Sequence, residues 1–542
     1  MGRYCSAVDA DYLIVGAGTA GCLLANRLSR HARVSLLEAG GNDAHPFVRV
    51  PIGYLKCIGH PRLDWGWSTE PEPGLNGRAL RYPRGRVLGG CSSINGMIYM
   101  RGQARDYDAW AGLCGDDAWS WRQVLPDFMA HEAHHAGAGE WHGGTGEWCV
   151  SPQRLHWPIL DAVHEAARQL GLPALADFNR GDNEGVGYFE VNQRRGWRWN
   201  AAQAFLDPAR SRIELHTGVL VERLLLAHSA ERGWACVGVE GLENGQRRQW
   251  RARREVLLCA GAVASPLLMQ RSGIGPPQLL QSLGIPVRIA RAEVGGNLQD
   301  HLQLRSVWRV QGCVTLNTLS RRWRSSLAMG LDYLLRRRGP LSMAPSQLGL
   351  FMRSSVAAAH ADLEFHVQPL SLPAFGQALD PFDAITLSVC HLNPSSRGSV
   401  QLRSTDARAA PLIRPNYLSS NEDCRVAALA LRAVRRLAAQ PALKRYQIEE
   451  LRPGSALQTE ADLIHAAGDI GTTIFHPVGT ARMGSDAEAV LDARLRVRAV
   501  AGLRVVDASA MPLIPSGNTA SPVLMMAEKA ARFIAAEKAE PA

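Results

Sequence analysis

One stretch constrains this chain more than any other: Asp11-Tyr-Leu-Ile-Val-Gly16-Ala-Gly18-Thr-Ala-Gly21-Cys-Leu-Leu-Ala-Asn-Arg-Leu28, followed by Val34-Ser-Leu-Leu-Glu38. It reads as a strand, a glycine turn, a helix and a second strand. Gly16 permits a tight turn, Gly18 lets backbone amides approach a pyrophosphate, and Gly21 lets the helix pack closely on the strand. The helix N-terminus then favours the phosphate charge. Glu38 closes the second strand roughly 20 residues on, where a carboxylate can accept hydrogen bonds from a ribose 2′-OH. The expectation is an α/β dinucleotide-binding domain, and NAD and FAD can both use such a turn.

Later segments favour FAD. Arg84-Gly-Arg-Val-Leu-Gly-Gly90-Cys-Ser-Ser-Ile-Asn95-Gly-Met97 is dense in small residues and lacks strand alternation, as a backbone-lined pocket for a flat ring requires. Glu255 to Pro276 reads as a buried strand, a turn at Gly261, and a helix with Ser265 as N-cap, Pro266 at its first position and a stop at Gly273.

Together these motifs resemble the glucose-methanol-choline family of FAD oxidoreductases, in its choline-dehydrogenase-like branch, and the likeness covers nearly the whole chain. Gly295-Gly-Asn-Leu-Gln-Asp300-His301 is similar to a family loop that usually has Glu where Gly296 stands. Phe475-His476-Pro477-Val-Gly479-Thr480-Ala-Arg482-Met483-Gly484 resembles the family's active-site segment. The resemblance implies α/β architecture (α+β overall) with a discontinuous, Rossmann-like FAD-binding domain over residues 1–160, 190–305 and 470–542. It further implies a substrate domain with a mixed or antiparallel sheet and helices over 306–469, with 161–189 as a connecting or lid segment. Within that region Leu363 to Pro369, Ala384 to Cys390 and Ser399 to Arg403 read as strands, and Glu422 to Gln440 as an amphipathic helix.

Site residues follow from the fingerprint and the resemblance. Cofactor contacts are expected at Gly16, Gly18, Thr19, Ala20, Gly21, Glu38, Val87, Gly90, Asn95, Gly96, Met97, Val221, Ala260, Gly261, Asp507, Ala508, Asn518 and Thr519. Asp507 ends a short apolar strand, where its carboxylate can meet a cofactor hydroxyl or cap a loop. Ser521 and Pro522 suit the start of a helix whose N-terminus the family places at the flavin. His476 is the expected catalytic base, because imidazole titrates near neutrality and can take an alcohol's hydroxyl proton while the α-hydrogen leaves as hydride. The family normally supplies a second polar partner, Asn or His. Counting back from Ala527-Glu528-Lys529 puts that partner at Ala520, a methyl group, which keeps a lyase or other non-standard flavoprotein open as the alternative. Some family members attach FAD through a His where this chain has Ile94, so noncovalent FAD is expected. Asp64-Trp65-Gly66-Trp67 contains the aromatic and acidic residue types that would suit a quaternary ammonium, and equally suits core packing.

Composition narrows the setting. A chain of 542 residues exceeds what one core usually organises. Its uncharged apolar stretch from Val256 to Met269 is shorter than the roughly 20 residues that span a bilayer. Strand character from Tyr12 leaves no room for an export signal, and Met1 to Ser6 matches the myristoylation pattern only loosely. The net charge of +10 rests almost wholly on arginine, scattered apart from Arg321 to Arg324 and Arg336 to Arg338. Without a recognised module or interleaved aromatics it does not point to nucleic acid. Eleven cysteines without a Cys-x-x-Cys pair fit reduced thiols rather than a disulfide frame or a zinc site. The expected partners are a small alcohol and an electron acceptor, either a quinone, another carrier or oxygen. The expected location is cytoplasmic, with contact at the inner face of the membrane as an alternative, and no metal is expected.

Overall fold

The computed structural model describes residues 8–374 and 377–537, so the myristoylation-like N-terminus lies outside it. Strand β1 (Val8–Val15), helix α1 (Thr19–Leu28) and strand β2 (Val34–Glu38) form the expected opening unit. The parallel core of the first sheet runs Ile213–Thr217, β2, β1, β3 (Gln246–Leu258), with Leu503–Val505 parallel to the end of β3. Strands Val219–Ser229 and Gly233–Glu243 extend it as an antiparallel meander. Every residue of β2 is buried, which explains its uninterrupted apolar character up to Glu38. Two glycines are obligatory for close approach. Gly16 has φ +101°, and a Cβ there would stand 2.6 Å from the Cys259 carbonyl oxygen, while one on Gly21 would fall on the Gly16 carbonyl.

Helix α2 (Gly261–Arg271) starts earlier than the sequence suggests, and Pro266 lies inside it. A proline there cannot donate to the Ala262 carbonyl one turn back. The Thr480 hydroxyl donates to that carbonyl instead, at 2.6 Å. Ser265 is correspondingly not an N-cap; its hydroxyl donates to Asp507.

The second sheet is antiparallel, ordered Glu449–Arg452, β4 (Leu302–Arg309), β5 (Ala384–His391), β6 (Leu363–Gln368), Leu348–Met352, Gly185–Tyr188, with Gly471–Thr473 also on β4. It therefore recruits a strand from 470–542, expected in the cofactor domain, and one from 161–189, expected as a connecting or lid segment of the substrate domain. Ser399–Gln401 does not join it but pairs with Leu412–Arg414, and this hairpin contributes Val400 and Ile413 to an apolar cluster with Val263 and Leu267 of α2. The register gives the sheet two unlike faces. Leu363, Phe365 and Val367 of β6 and Ile385, Leu387 and Val389 of β5 pack with helix α4 (Asn421–Ala438) through Val426, Leu431 and Val434. The alternate positions are polar yet buried: Glu364, His366 and Gln368, paired with Cys390, Ser388 and Thr386. Helix α3 (Trp323–Arg336) lies between β4 and the strand at Leu348, on the protein's surface. The C-terminal helix α5 (Ala520–Glu537) packs beside α1, with Arg27 bridging Glu147 at 2.7 Å and Glu528 at 3.0 Å. Among the described residues no helix is long and apolar enough to cross a membrane.

Candidate active site

One cavity runs from the β1–α1 turn to the polar face of the second sheet, and its wall contains residues from both ends of the chain. At the turn, Glu38 accepts from the backbone N–H of Ala17 at 2.9 Å and of Gly40 at 2.7 Å. Burial pushes its carboxyl up to about 7 against the pull of those amides. Gly90 has φ +53°, and a Cβ on it would lie 2.7 Å from the Gly18 Cα, so the two glycine segments form one closely apposed cradle. Gly18 itself is open: a Cβ there would approach protein no closer than 3.7 Å.

Asp507 closes the middle of the cavity. Its carboxylate accepts from Gly261 N–H at 2.8 Å, from the Ser265 hydroxyl at 2.6 Å, and from both the N–H and hydroxyl of Ser509. Burial raises its pKa and these donors oppose the rise. The carboxylate thus caps the start of α2 while facing the cavity, so a cofactor hydroxyl at this point would share it.

His476 occupies the far end. Its backbone N–H donates to Asp300 at 2.9 Å, and the other Asp300 oxygen accepts from Tyr82, Tyr417 and Thr473. The preceding Phe475 is held at φ +73°, a conformation that costs a non-glycine residue energy and that this network sustains. The imidazole lies in a chain of contacts: His301 Nε2 at 2.9 Å from the Leu392 carbonyl, His301 Nδ1 at 3.1 Å from His476 Nδ1, and Asn518 Nδ2 at 3.1 Å from His476 Nε2. A carbonyl only accepts, so His301 Nε2 carries a proton and its Nδ1 accepts from His476 Nδ1–H. That leaves the lone pair of His476 on Nε2, where the Asn518 amide donates to it. Burial, followed by the charges of His301, His366 and Arg84, lowers the His476 pKa well below the ordinary imidazole value.

Most expected cofactor residues line the cavity: Gly16, Gly18, Thr19, Ala20, Glu38, Gly90, Asn95, Gly96, Met97, Val221, Ala260, Gly261, Asp507, Ala508, Asn518 and Thr519. Two do not. Gly21 stands behind the wall against the Gly16 carbonyl, and Val87 packs in an apolar cluster with Val48, Cys57, Leu63 and Ile94. Position 520 carries the methyl group read from sequence, and Ala520 opens α5 in the cavity wall, while Asn518, expected as a cofactor contact, also places its amide 3.1 Å from His476 Nε2. The sequence reading did not find Gln303, Ser346, His366 and Gln368, which bring the second sheet to the cavity. For His366 and Gln368 the signal was the strict alternation Leu363-Glu-Phe-His-Val-Gln368, whose polar side faces an enclosed site rather than solvent; Gln303 and Ser346 lie outside that run. Trp65 and Trp67 line the cavity and stack at 5.0 Å, with Arg86 5.1 Å over the Trp65 ring. Asp64 is held by the N–H groups of Gly59, Gly66 and Arg84 and is absent from the wall.

Residues 10–303 and 394–527 match two family models, both described as GMC oxidoreductase. The chain belongs to the GMC oxidoreductases. It is 38% identical over 550 residues to mitochondrial choline dehydrogenase of Homo sapiens, a match covering 98% of this chain and 90% of that one. It is 35% identical over 531 residues to an alcohol dehydrogenase (acceptor) of Pseudomonas putida, covering 97% and 95% respectively. The crystal structure of pyridoxine 4-oxidase from Mesorbium loti superposes with a TM-score of 0.86 at 32% identity, covering 96% of this chain and 98% of that one. The cofactor of this GMC oxidoreductase is FAD, and the cavity suits it. The Gly18–Gly90 cradle leaves backbone bare where phosphates would lie, the Glu38 carboxylate in the same wall would meet a ribose hydroxyl, and the buried Asn518 Oδ1 has no hydrogen-bond partner among the described residues.

Proposed function

We propose that this protein oxidises an uncharged primary alcohol to the aldehyde, with His476 as the base that takes the hydroxyl proton. The observation that carries this reading is the His476–Asn518 pair in the cavity wall, with the Nε2 lone pair directed to Asn518 at 3.1 Å. An entering hydroxyl displaces the amide from Nε2, delivers its proton there, and receives the Asn518 N–H on its oxygen as negative charge develops. The hydrogen bond from His476 Nδ1 to His301 keeps the base in the tautomer this requires. When bound, FAD supplies the acceptor for the α-hydrogen, taken as hydride at N5, and passes the two electrons to a quinone-type acceptor or oxygen. The first turn of α5, with Thr519 and Ala520 in the cavity wall, presents the positive end of that helix to the site.

An uncharged substrate is favoured because, among the described residues, no free carboxylate faces this cavity. Its acidic wall residues, Glu38 and Asp507, are both engaged by backbone amides. Glu364 lies behind the wall, 3.1 Å from His366 Nε2. A quaternary ammonium entering past Arg84 would meet the two tryptophans, one already faced by Arg86. The test is anaerobic bleaching of the bound flavin by a panel of aliphatic and aromatic primary alcohols against choline. Uncharged alcohols should reduce the flavin at lower concentration; preferential reduction by choline overturns the substrate class, and no bleaching by any alcohol overturns the reaction. The same noncovalent holoprotein, reoxidised by a soluble quinone or by oxygen, then ranks the acceptors.

A further inference from the structure

Large exposed apolar side chains are concentrated on one helix. Helix α3 presents Trp323, Leu327, Leu331, Leu334 and Leu335 to solvent, with Trp323 71% and Leu335 80% exposed. At about 100° per residue these five fall within an arc of about 120°, a continuous stripe. The opposite side is fastened to the protein. Tyr333 is buried and donates to the Gly196 carbonyl at 2.9 Å, Met329 packs on the core of the second sheet, and Arg154 donates to the Arg337 carbonyl at 2.8 Å. The stripe is therefore a fixed surface feature.

Its surroundings are basic at both ends. From Arg321 to Arg338 the chain carries six arginines and one acid, Asp332, which is paired with Arg336 at 3.4 Å. Arg337 turns inward over Trp197, whereas Arg321, Arg322, Arg324 and Arg338 remain exposed, Arg324 lying 5.4 Å over the Trp323 ring. A convex apolar stripe with a Trp at one end and arginines at both is the pattern of a helix lying in the headgroup region of an anionic bilayer. Pairing with a second copy is disfavoured, because both helix ends are positive and either orientation sets like charges together.

We propose that α3 seats this protein on the surface of a membrane containing anionic lipid, with Trp323 and the leucines in the headgroup–acyl boundary and the exposed arginines against phosphate groups. This is an attachment to the surface, without a spanning segment. The chain leaving α3 supplies Pro345 and Ser346 to the cavity wall, so the docked helix and the candidate active site share one continuous segment. A lipid-soluble substrate or quinone would then be presented from the bilayer side. The docking itself does not depend on the oxidation chemistry.

The experiment is sedimentation of the holoprotein with vesicles of phosphatidylcholine containing about 30% phosphatidylglycerol, and with phosphatidylcholine alone. Binding is expected to the anionic vesicles, and to weaken at least tenfold when salt is raised from about 0.05 to 0.5 M. The double substitution Leu331→Glu/Leu334→Glu should lower partitioning at least about tenfold, as should Arg321→Glu/Arg322→Glu/Arg324→Glu. Both variants should keep their FAD and their activity with a soluble dye, which shows that they fold. Light scattering should give a monomer for all three proteins. Absence of binding to anionic vesicles overturns the proposal, as does unchanged binding by the leucine variant. A dimer that the leucine substitutions dissociate would assign the stripe to a second copy instead.

Discussion

Replacing Asn518 by alanine isolates the partner that the cavity gives to His476. The substitution removes an N–H that stands 3.1 Å from the Nε2 lone pair and, with substrate present, would donate to an oxygen acquiring negative charge. A hydrogen bond to a charged group in a buried site contributes about 1.5–3 kcal/mol. At about 1.4 kcal/mol per decade, the rate of flavin reduction should fall roughly 10- to 150-fold. The measurement is anaerobic stopped-flow absorbance with saturating alcohol, which reads the reductive half-reaction before any acceptor is involved. FAD content should be retained, since the Gly18–Gly90 cradle and Glu38 stand in other segments of the cavity wall. Ala520→Asn serves as the contrast and should leave the rate near that of the wild type. Reduction of Asn518→Ala at the wild-type rate, or acceleration by Ala520→Asn alone, would refute the assignment of Asn518 as the partner.

Further outcomes are expected. His476→Ala should keep FAD and slow flavin reduction by about 10²–10⁴, and a variant that instead loses FAD would make the residue structural. Because the His476 pKa is lowered below 6.5, the neutral base is already present at neutral pH, so the acid limb of the reduction rate should lie below pH 6.5 with a plateau above. The sign for stability is the same: a histidine held neutral in the fold contributes fully above its unfolded value and loses that contribution as pH falls, so melting temperature should drop on acidification below 6.5. Gly18→Val should preserve the fold yet abolish FAD absorbance, whereas Gly21→Ala should lower thermal stability, because a Cβ on Gly21 would stand 2.0 Å from the Gly16 carbonyl oxygen while one on Gly18 comes no nearer than 3.7 Å to the Cys259 carbonyl oxygen. Acid precipitation should release all the flavin into the supernatant, since Ile94 offers no attachment atom; flavin remaining with the pellet would contradict this.

The parts of the site legible in the sequence were those fixed by local backbone geometry. A strand, three spaced glycines and a terminal acid are read within one βαβ unit, and the structure has that unit with Gly16, Gly18 and Glu38 in the wall of one cavity. Pairings between distant segments were not legible. Pro266 looked like a helix start because proline is common there, and only the Thr480 hydroxyl, remote in sequence, makes its interior position tolerable. The contact of Asn518 with His476 was not legible for a related reason: the sequence reading gave Asn518 to the cofactor, and only the folding of the loop before α5 against a distant segment sets its amide 3.1 Å from His476 Nε2. The second sheet was recognised strand by strand, but its membership was not, since Gly185–Tyr188 and Gly471–Thr473 join from segments that carry other roles.

The two unlike faces of that sheet bear on how such a protein can change its chemistry. The strands carry residues that pack the apolar layer and residues that line the cavity at alternate positions, so the two sets can change separately although they are neighbours in sequence. A change at Gln368, His366 or Gln303 reshapes the cavity without touching the Phe365, Val367 and Leu387 layer on α4. The cofactor cradle belongs to another sheet altogether. The cavity can therefore be reshaped by single codon changes on one side of β4 and β6, while the glycine cradle and the apolar layer on α4 stay as they are.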